Sequence, residues 1–378
     1  MATILLYGDT ARYPSLRHEV PLEIMDPFLF ADHEGRPHVL TNSLERTRIA
    51  DTLPDAEILL TDQLGVFDLI EDGMSRDDAL VEVALRAAEH WGIQAAVVPP
   101  DLPVAIADRL RAEGIELTVD AGRVDDRRRV KSEQEMAGIR RAQRAAEAGM
   151  RAGEQLIRGA ERHDGRLKRN AQDLTAETVR DAIRAACASA GAPAPPDIMV
   201  TSAWSGGGHD PGSGPLPADL PITVDLWPRD EASGCWADMT RTFVNGDISD
   251  EVARLRDVVR DALEKVRAAA KPGVTGRALY DIAAETVEHA GYPTLRTREP
   301  GQTLSHGFYF GLGHGVGLEV HEQPGLGLAG GETLVAGDVI AIEPGIENID
   351  GIGGVRFEDL LIVTADGVDT LTDYPYDP

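Results

Sequence analysis

The chain has 378 residues, is 42% hydrophobic and 5% aromatic, and carries 64 acidic against 37 basic residues, a net charge of -27. That length exceeds the size at which one core usually stops growing, so two domains are expected. The negative surplus excludes nucleic acid and anionic membrane surfaces as general partners, because phosphates would be repelled over most of the surface.

The N-terminal MATILLYGDT lacks a basic region and meets Asp9 early, so it reads as a first strand rather than a leader. No window reaches 18 uninterrupted apolar residues, and no membrane span is expected. Two distant cysteines, Cys187 and Cys235, make neither a disulfide framework nor a zinc knuckle, and they suit a reducing, cytoplasmic setting.

Residues 1–125 alternate short strands with helices. Ile4–Tyr7, Phe28–Ala31, His38–Leu40, Glu57–Leu60, Ala95–Val98 and Ile115–Val119 are brief apolar or β-branched runs, while Asp77–Trp91 and Pro103–Glu113 carry apolar residues at helical spacing. This is the pattern of a compact α/β domain. The run Asp125–Lys131 (DDRRRVK) reads as a solvated linker ahead of a long helix. Ser132 and Glu135 have the form of a capping box for that helix. A second helix is expected over Thr175–Gly191, closed by its glycine.

Strands follow at Ile198–Thr201, Pro221–Trp227 and Trp236–Val244. The order then recurs, with helices Ser249–Ala270 and Gly276–Gly291 and strands Gly307–Phe310, Asp338–Glu343 and Val355–Thr364. Two helices and a group of strands, twice, suggest an internal duplication by element order alone.

Four acidic residues lie within these strands, where Asp is normally disfavoured. Asp225 shares a face with Thr223 in ITVDL, and Asp238 shares a face with Thr240 and Thr242 in WADMTRTF. The turn-rich PRDEASGC between them predicts a hairpin that brings the two aspartates together. Glu343 ends DVIAIE, and Glu358 shares a face with Arg356 in VRFEDLL. Four converging carboxylates need compensation. Arg356 and Arg241 would offset part of their charge, and two divalent cations would offset all of it while making water nucleophilic at neutral pH.

The segment GLGHGVGLEVHE sets His314 and His321 seven residues apart among glycines, which permit close approach to a ligand. His314 suits a single nitrogen ligand, and carboxylates with one imidazole favour manganese, cobalt, iron or zinc. His321 would sit beside a substrate. His209, in SGGGHDPGSG, reads equally as a third member of the cleft or as a loop histidine in solvent.

The pieces VDLWPRDEASGCWADMTRTF, GLGHGVGLEVHEQP, AIEPG and GGVRFED resemble the pita-bread metallopeptidases, the group of methionine aminopeptidase, aminopeptidase P, prolidase and creatinase. The linker motif RVKSEQEMAGIRRA and the preceding α/β region resemble the two-domain, proline-directed members. The resemblance implies a creatinase N-terminal-like α/β domain over 1–125. After it comes an α+β pita-bread catalytic domain over 126–378 with a pseudo-twofold duplication. It implies that Asp225, Asp238, His314, Glu343 and Glu358 bind two metal ions, manganese first among the candidates. Glu343 would also handle the proton, and His321 and His209 would contact substrate and oxyanion. Arg356 matches an arginine behind the ligands, and Thr240 is placed with it. A homodimer acting on peptides with proline at the second position is the expected assembly and substrate.

Where the family spaces its first two aspartates by about eleven positions, here the interval is thirteen. Two added hairpin residues preserve which faces meet, because the side-chain period is two. Between Leu318 and Val355 there is no Lys or Arg to clamp a dipeptide's carboxylate. The expectation is therefore an aminopeptidase P-like enzyme for longer peptides, with prolidase-like dipeptidase action as the alternative. A creatinase-like hydrolase and a non-catalytic binding module are disfavoured by the intact ligand set. No Gly-x-Ser-x-Gly elbow occurs, and Val316 stands where a Rossmann glycine belongs.

Overall fold

The computed structural model describes residues 2–205 and 209–376. The three glycines ahead of His209 in SGGGHDPGSG lie outside them. The chain forms two compact units, Met1–Arg128 and Arg129–Pro378. Among the described residues, no helix is long and apolar enough to cross a membrane.

The first unit is a six-stranded mixed sheet of β1 (Ile4–Gly8), β2 (Phe28–His33), β3 (Arg36–Thr41), β4 (Glu57–Leu60), β5 (Ala95–Val98) and β6 (Glu116–Val119), in the order β4-β3-β2-β1-β5-β6. Its helices are α1 (Pro14–Glu19), α2 (Arg46–Thr52), α3 (Val66–Glu71), α4 (Arg76–His90), α5 (Val104–Ala112) and α6 (Ala121–Arg129). Alternation along the strands explains the layering. Ile4, Leu6, Phe28 and Phe30 enter one core with Ile49 of α2, while Leu5, Leu29 and Leu40 enter another with Ala79 and Val83 of α4. Both faces of the sheet are thereby covered.

In the second unit, α7 (Glu133–Arg158) is followed by a small sheet of β7 (Glu161–His163), β8 (Arg166–Arg169) and β9 (Gln172–Asp173), then by α8 (Ala176–Ser189). Ser132 and Glu135 form the expected capping box on α7. The sheet β10 (Met199–Ser202), β11 (Ile222–Leu226), β12 (Met239–Phe243) is antiparallel throughout. After α9 (Asp250–Ala269) and α10 (Gly276–His289) come β13 (Gly313–Gly315), β14 (Glu322–Leu326), β15 (Val339–Ile342), the hairpin β16 (Gly345–Ile349) and β17 (Gly353–Arg356), then β18 (Asp359–Val363) and β19 (Val368–Thr370). The order β14-β13-β15-β18-β19 sets β13 inside a five-stranded sheet.

Four sequence expectations change. The charge run is not a solvated linker: Arg129 closes α6, is buried, and donates from Nε and Nη2 to Asp338 Oδ1 and Oδ2 at 3.0 and 2.7 Å. Asp338 is fully buried, and a buried carboxylate requires a cation.

Gly307–Phe310 is not a strand, and makes only isolated bridges to Thr294 and Glu347. The glycine-dense stretch supplies the strand instead. A side chain at Gly313 would approach Ala341 O to 2.0 Å, and one at Gly315 would approach Gln323 O to 2.2 Å, so glycine here lets two neighbouring strands close in. Finally, Val355–Thr364 is not continuous, because it breaks at Phe357–Glu358 between β17 and β18.

Candidate metal centre

The site is built on β11 and β12 from one side and on β13, β15 and the β17–β18 break from the other. In β11, Ile222, Val224 and Leu226 are fully buried in the core, which turns Thr223 and Asp225 to the opposite face. Antiparallel pairing sets Asp225 opposite Thr240 and Thr223 opposite Thr242, whose hydroxyls are 3.1 Å apart. Asp238 lies one residue ahead of β12, not inside it, and its Oδ1 accepts the Met239 amide at 3.0 Å.

His314 is the middle residue of β13, opposite Ala341 of β15. Glu343 follows the last residue of β15. Glu358 occupies the break after β17, where its amide donates to Thr240 O at 3.1 Å and its Oε2 accepts from Thr240 Oγ1 at 2.8 Å.

These side chains converge. Donor atoms of Asp225, Asp238 and Glu358 lie within 4.8 Å of one another, as do those of His314, Glu343 and Glu358, and those of Asp238, His314 and His321. His321 thus falls inside the cluster although the sequence sets it beside the substrate; it is exposed, and its ring meets that of His314 edge-on at 4.2 Å. His209 is exposed in the turn that precedes Asp210, and the pKa of the His321 imidazole is lowered by burial and then by His209.

Burial and mutual repulsion dominate the electrostatics. Burial, then Glu358 and Asp225, drives the Asp238 carboxyl well above the ordinary range. Burial, then Glu343 and Asp225, does the same to Glu358. Burial lifts Glu343 to about 7 against the attraction of Arg356. Burial depresses His314 to about 4, so its imidazole is neutral. Arg356 Nη2 donates to Asp225 Oδ2 at 2.8 Å, and its Nη1 lies 3.4 Å from Glu343 Oε2. Arg241, expected to share this compensation, does not: it donates to Asp359 Oδ1 at 3.0 Å and to the Glu358 carbonyl at 2.7 Å. Alternation along β12 sets Arg241 on the face away from Thr240.

The residues fit a divalent cation. Asp225 Oδ1 is buried without a hydrogen-bond partner. His314 Nδ1 is 3.1 Å from the Gly315 carbonyl, an arrangement that assigns the proton to Nδ1 and leaves the Nε2 lone pair 3.7 Å from both Asp238 Oδ2 and Glu343 Oε1. Lone pairs facing each other in a buried site call for a cation between them, and this oxygen-rich set with imidazole suits manganese, cobalt, iron or zinc. One neighbour escaped the sequence reading. Glu347 on β16 places Oε1 3.5 Å from Arg356 Nε, and nothing in PGIENI marks it beforehand.

Residues 137–365 match the model of metallopeptidase family M24. A Xaa-Pro dipeptidase from Pyrococcus furiosus is 39% identical over 136 residues, which are 36% of this chain and 35% of that protein. The matched part therefore spans about a third of the relative's length. Two solved structures are similar over nearly the whole chain, and at these identities the likeness is one of fold. The prolidase from Pyrococcus horikoshii OT3 has a TM-score of 0.75 at 24% identity, over 99% of this chain and 94% of that one. The X-Pro aminopeptidase from Thermotoga maritima has a TM-score of 0.77 at 22% identity, over 100% and 97%.

Proposed function

From its place in metallopeptidase family M24, to which the chain belongs, we propose that this enzyme is a metal-dependent Xaa-Pro dipeptidase. Asp225, Asp238, His314, Glu343 and Glu358 would hold two divalent ions. The observation that carries the reading is the convergence of four carboxylates and one neutral imidazole on a buried point, with Asp225 Oδ1 unpaired. Divalent cations bound there would polarise a scissile carbonyl and make water nucleophilic at neutral pH.

The chain's own groups divide the remaining work. Glu343, at the end of β15 beside the other ligands, would handle the proton. Arg356 fixes the orientation of Asp225, and Thr240 that of Glu358. His321 and His209, both exposed at the site's edge, donate to the substrate and to the developing oxyanion, a role usually worth about 3 kcal/mol per donor.

The expectation of longer peptides rested on the missing cation between Leu318 and Val355. The sequence relative cleaves dipeptides by its name, and this favours the dipeptide over the aminopeptidase P-like reading. Two domains over 1–125 and 126–378, an internal duplication in the second, and a homodimer belong to the same proposal.

A metal-reconstituted assay with Ala-Pro, Ala-Pro-Ala and Ala-Ala-Ala tests it. Cleavage of Ala-Pro alone is expected. Cleavage of Ala-Pro-Ala alone would restore the aminopeptidase P-like reading, and failure on both proline peptides with metal bound would sink the specificity altogether.

A further inference from the structure

The segment that follows His209, from Asp210 to Gly214, is held from two sides. On one side it lies along β10. The Val200 amide donates to Pro211 O at 3.0 Å. Gly212, at a φ of +78°, lets the backbones meet where a side chain would stand 1.9 Å from Val200 O. β10 pairs in turn with β11, with Met199 opposite Asp225 and Val200 opposite Val224. Two strand spacings, roughly 10 Å, thus separate Pro211 from the strand that carries Asp225.

On the other side the segment meets the first two turns of α8. The Ala176 amide donates to Gly214 O at 3.0 Å, and the Glu177 carboxylate accepts the Gly214 amide at 3.1 and 3.2 Å. Nearer to His209 in the chain, the half-buried Arg180 takes the grip. Its Nη1 and Nη2 donate to Gly212 O at 3.3 and 3.2 Å, and Nη1 also reaches the carbonyls of Pro211 and, at 3.5 Å, Ile198. One guanidinium therefore joins the residues after His209 to the residue that leads into β10. A planar fork of donors can hold two successive carbonyls together, which a single ammonium group cannot. Asp210 Oδ1 accepts the Gly212 amide at 2.9 Å, so the turn between His209 and the gripped carbonyls is itself closed.

We propose that Arg180 is a positioning residue, which grips Pro211 and Gly212 and so holds His209 at the edge of the carboxylate cluster. Its effect on catalysis rests on the reading of His209 as a substrate contact. The five proposed metal ligands do not depend on Arg180. Asp225 stands on β11 and His314 on β13, while Asp238, Glu343 and Glu358 adjoin β12, β15 and β17. Loss of the guanidinium displaces His209 and leaves the metals bound. A misplacement of about 1 Å is enough to slow a reaction by roughly a hundredfold.

The metal-loaded, full-length protein tests this in two arms. In the first, kcat and KM for Ala-Pro and the affinity for Mn²⁺ are measured in wild type, Arg180→Leu, Arg180→Lys, His209→Ala and the Arg180→Leu/His209→Ala double variant. Arg180→Leu is expected to lose about tenfold or more in kcat with Mn²⁺ affinity unchanged, and Arg180→Lys to recover part of that loss. The double variant should be no slower than His209→Ala, because both changes remove the contribution of one group. The second arm needs no turnover. Histidine ring carbons are observed by NMR in zinc-loaded protein, and the His209 signal is assigned by its loss in His209→Ala. That signal should shift in Arg180→Leu while the His314 signal stays. If His209→Ala keeps full kcat, or no Xaa-Pro dipeptide is cleaved, the reading of His209 as a substrate contact fails, and a shifted signal still establishes Arg180 as its anchor. An unmoved His209 signal overturns the proposal. So does full kcat in Arg180→Leu where His209→Ala loses it, or a double variant in which the two losses multiply. Should Arg180→Leu misfold, the His209 signal in Arg180→Lys decides by the same shift.

Discussion

Thr240 and Glu358 are joined twice: the threonine hydroxyl donates to Glu358 Oε2 at 2.8 Å, and the Glu358 amide donates to the Thr240 carbonyl at 3.1 Å. One residue lies in β12 and the other in the break after β17, so the pair ties the two halves of the carboxylate cluster at a single point. The hydroxyl thereby fixes which oxygen of Glu358 faces the other carboxylates.

Thr240→Val keeps the side chain's shape and removes the donor. The buried Glu358 Oε2 then has no partner, a loss typically worth about 1–3 kcal/mol. We expect a lower melting temperature and at least about tenfold weaker binding of Mn²⁺ by titration. Unchanged Mn²⁺ affinity would show that Thr240 does not orient Glu358.

The five proposed ligands and the two exposed histidines should separate on mutation. Asp238→Ala removes an oxygen from two of the three donor groups, and metal analysis should find the purified protein depleted. Full occupancy in that variant would refute the ligand assignment. His321→Ala should retain its metal and lose about a hundredfold to a thousandfold in kcat, the range for one lost oxyanion donor. Because His321 also lies within reach of Asp238 and His314, loss of metal in that variant would reassign it to the ligand set.

Metal dependence of stability should grow with pH. Folded-state values for Asp238, Glu343 and Glu358 are raised, so each carboxyl contributes stability that is complete below its unfolded value and lost as pH rises through the folded one. For Glu343 that window runs from 4.5 to about 7, worth on the order of 3 kcal/mol. His314, depressed to about 4 from 6.5, acts with opposite sign below 6.5 and is silent above it. Chelator-treated protein should therefore lose melting temperature between pH 5 and 7.5, and the gap to Mn²⁺-loaded protein should widen over that interval. A gap that narrows would contradict it.

How legible the site was depends on the range of the interactions that form it. Asp225 could be read from ITVDL because period-two alternation is local, and the hairpin to Asp238 followed from the turn formers between them. The strand β13 was hidden because GLGHGVG has the composition of a loop. Its glycines answer to carbonyls of Ala341 and Gln323 on neighbouring strands, which no local window contains. Arg129 looked like solvated charge because its partner, Asp338, lies 209 positions away. The break at Glu358 was invisible for a similar reason: VRFEDLL alternates as one strand, and it is the bonding of the Glu358 backbone to Thr240 and Arg241 of β12 that interrupts it. Glu347 carries no local signal at all.

The hairpin between Asp225 and Asp238 raises the last prediction. Its two extra residues fall in a loop that is docked rather than loose. Asp230 is 2% exposed and accepts from Arg141 Nε and Nη2 at 2.8 Å each, as well as from the Ser233 amide and hydroxyl at 2.8 and 2.7 Å. A side chain at Gly138 on α7 would meet Ser233 Oγ at 1.9 Å, so the helix opens a seat for the loop at that point. These bonds fix the span that separates the two aspartates. Arg141→Ala leaves the buried Asp230 without its cation, and since Arg141 is 40% exposed the cost should be about 1–3 kcal/mol, below that of a fully buried pair. Arg141→Lys restores charge but not the two-pronged geometry, and should recover only part of the loss. If the loop sets the aspartate spacing, Arg141→Ala will also weaken Mn²⁺ binding, and Arg141→Lys will recover metal affinity and melting temperature in parallel. Recovery of stability without recovery of metal affinity would show that the clasp holds the loop and leaves the aspartates where they are.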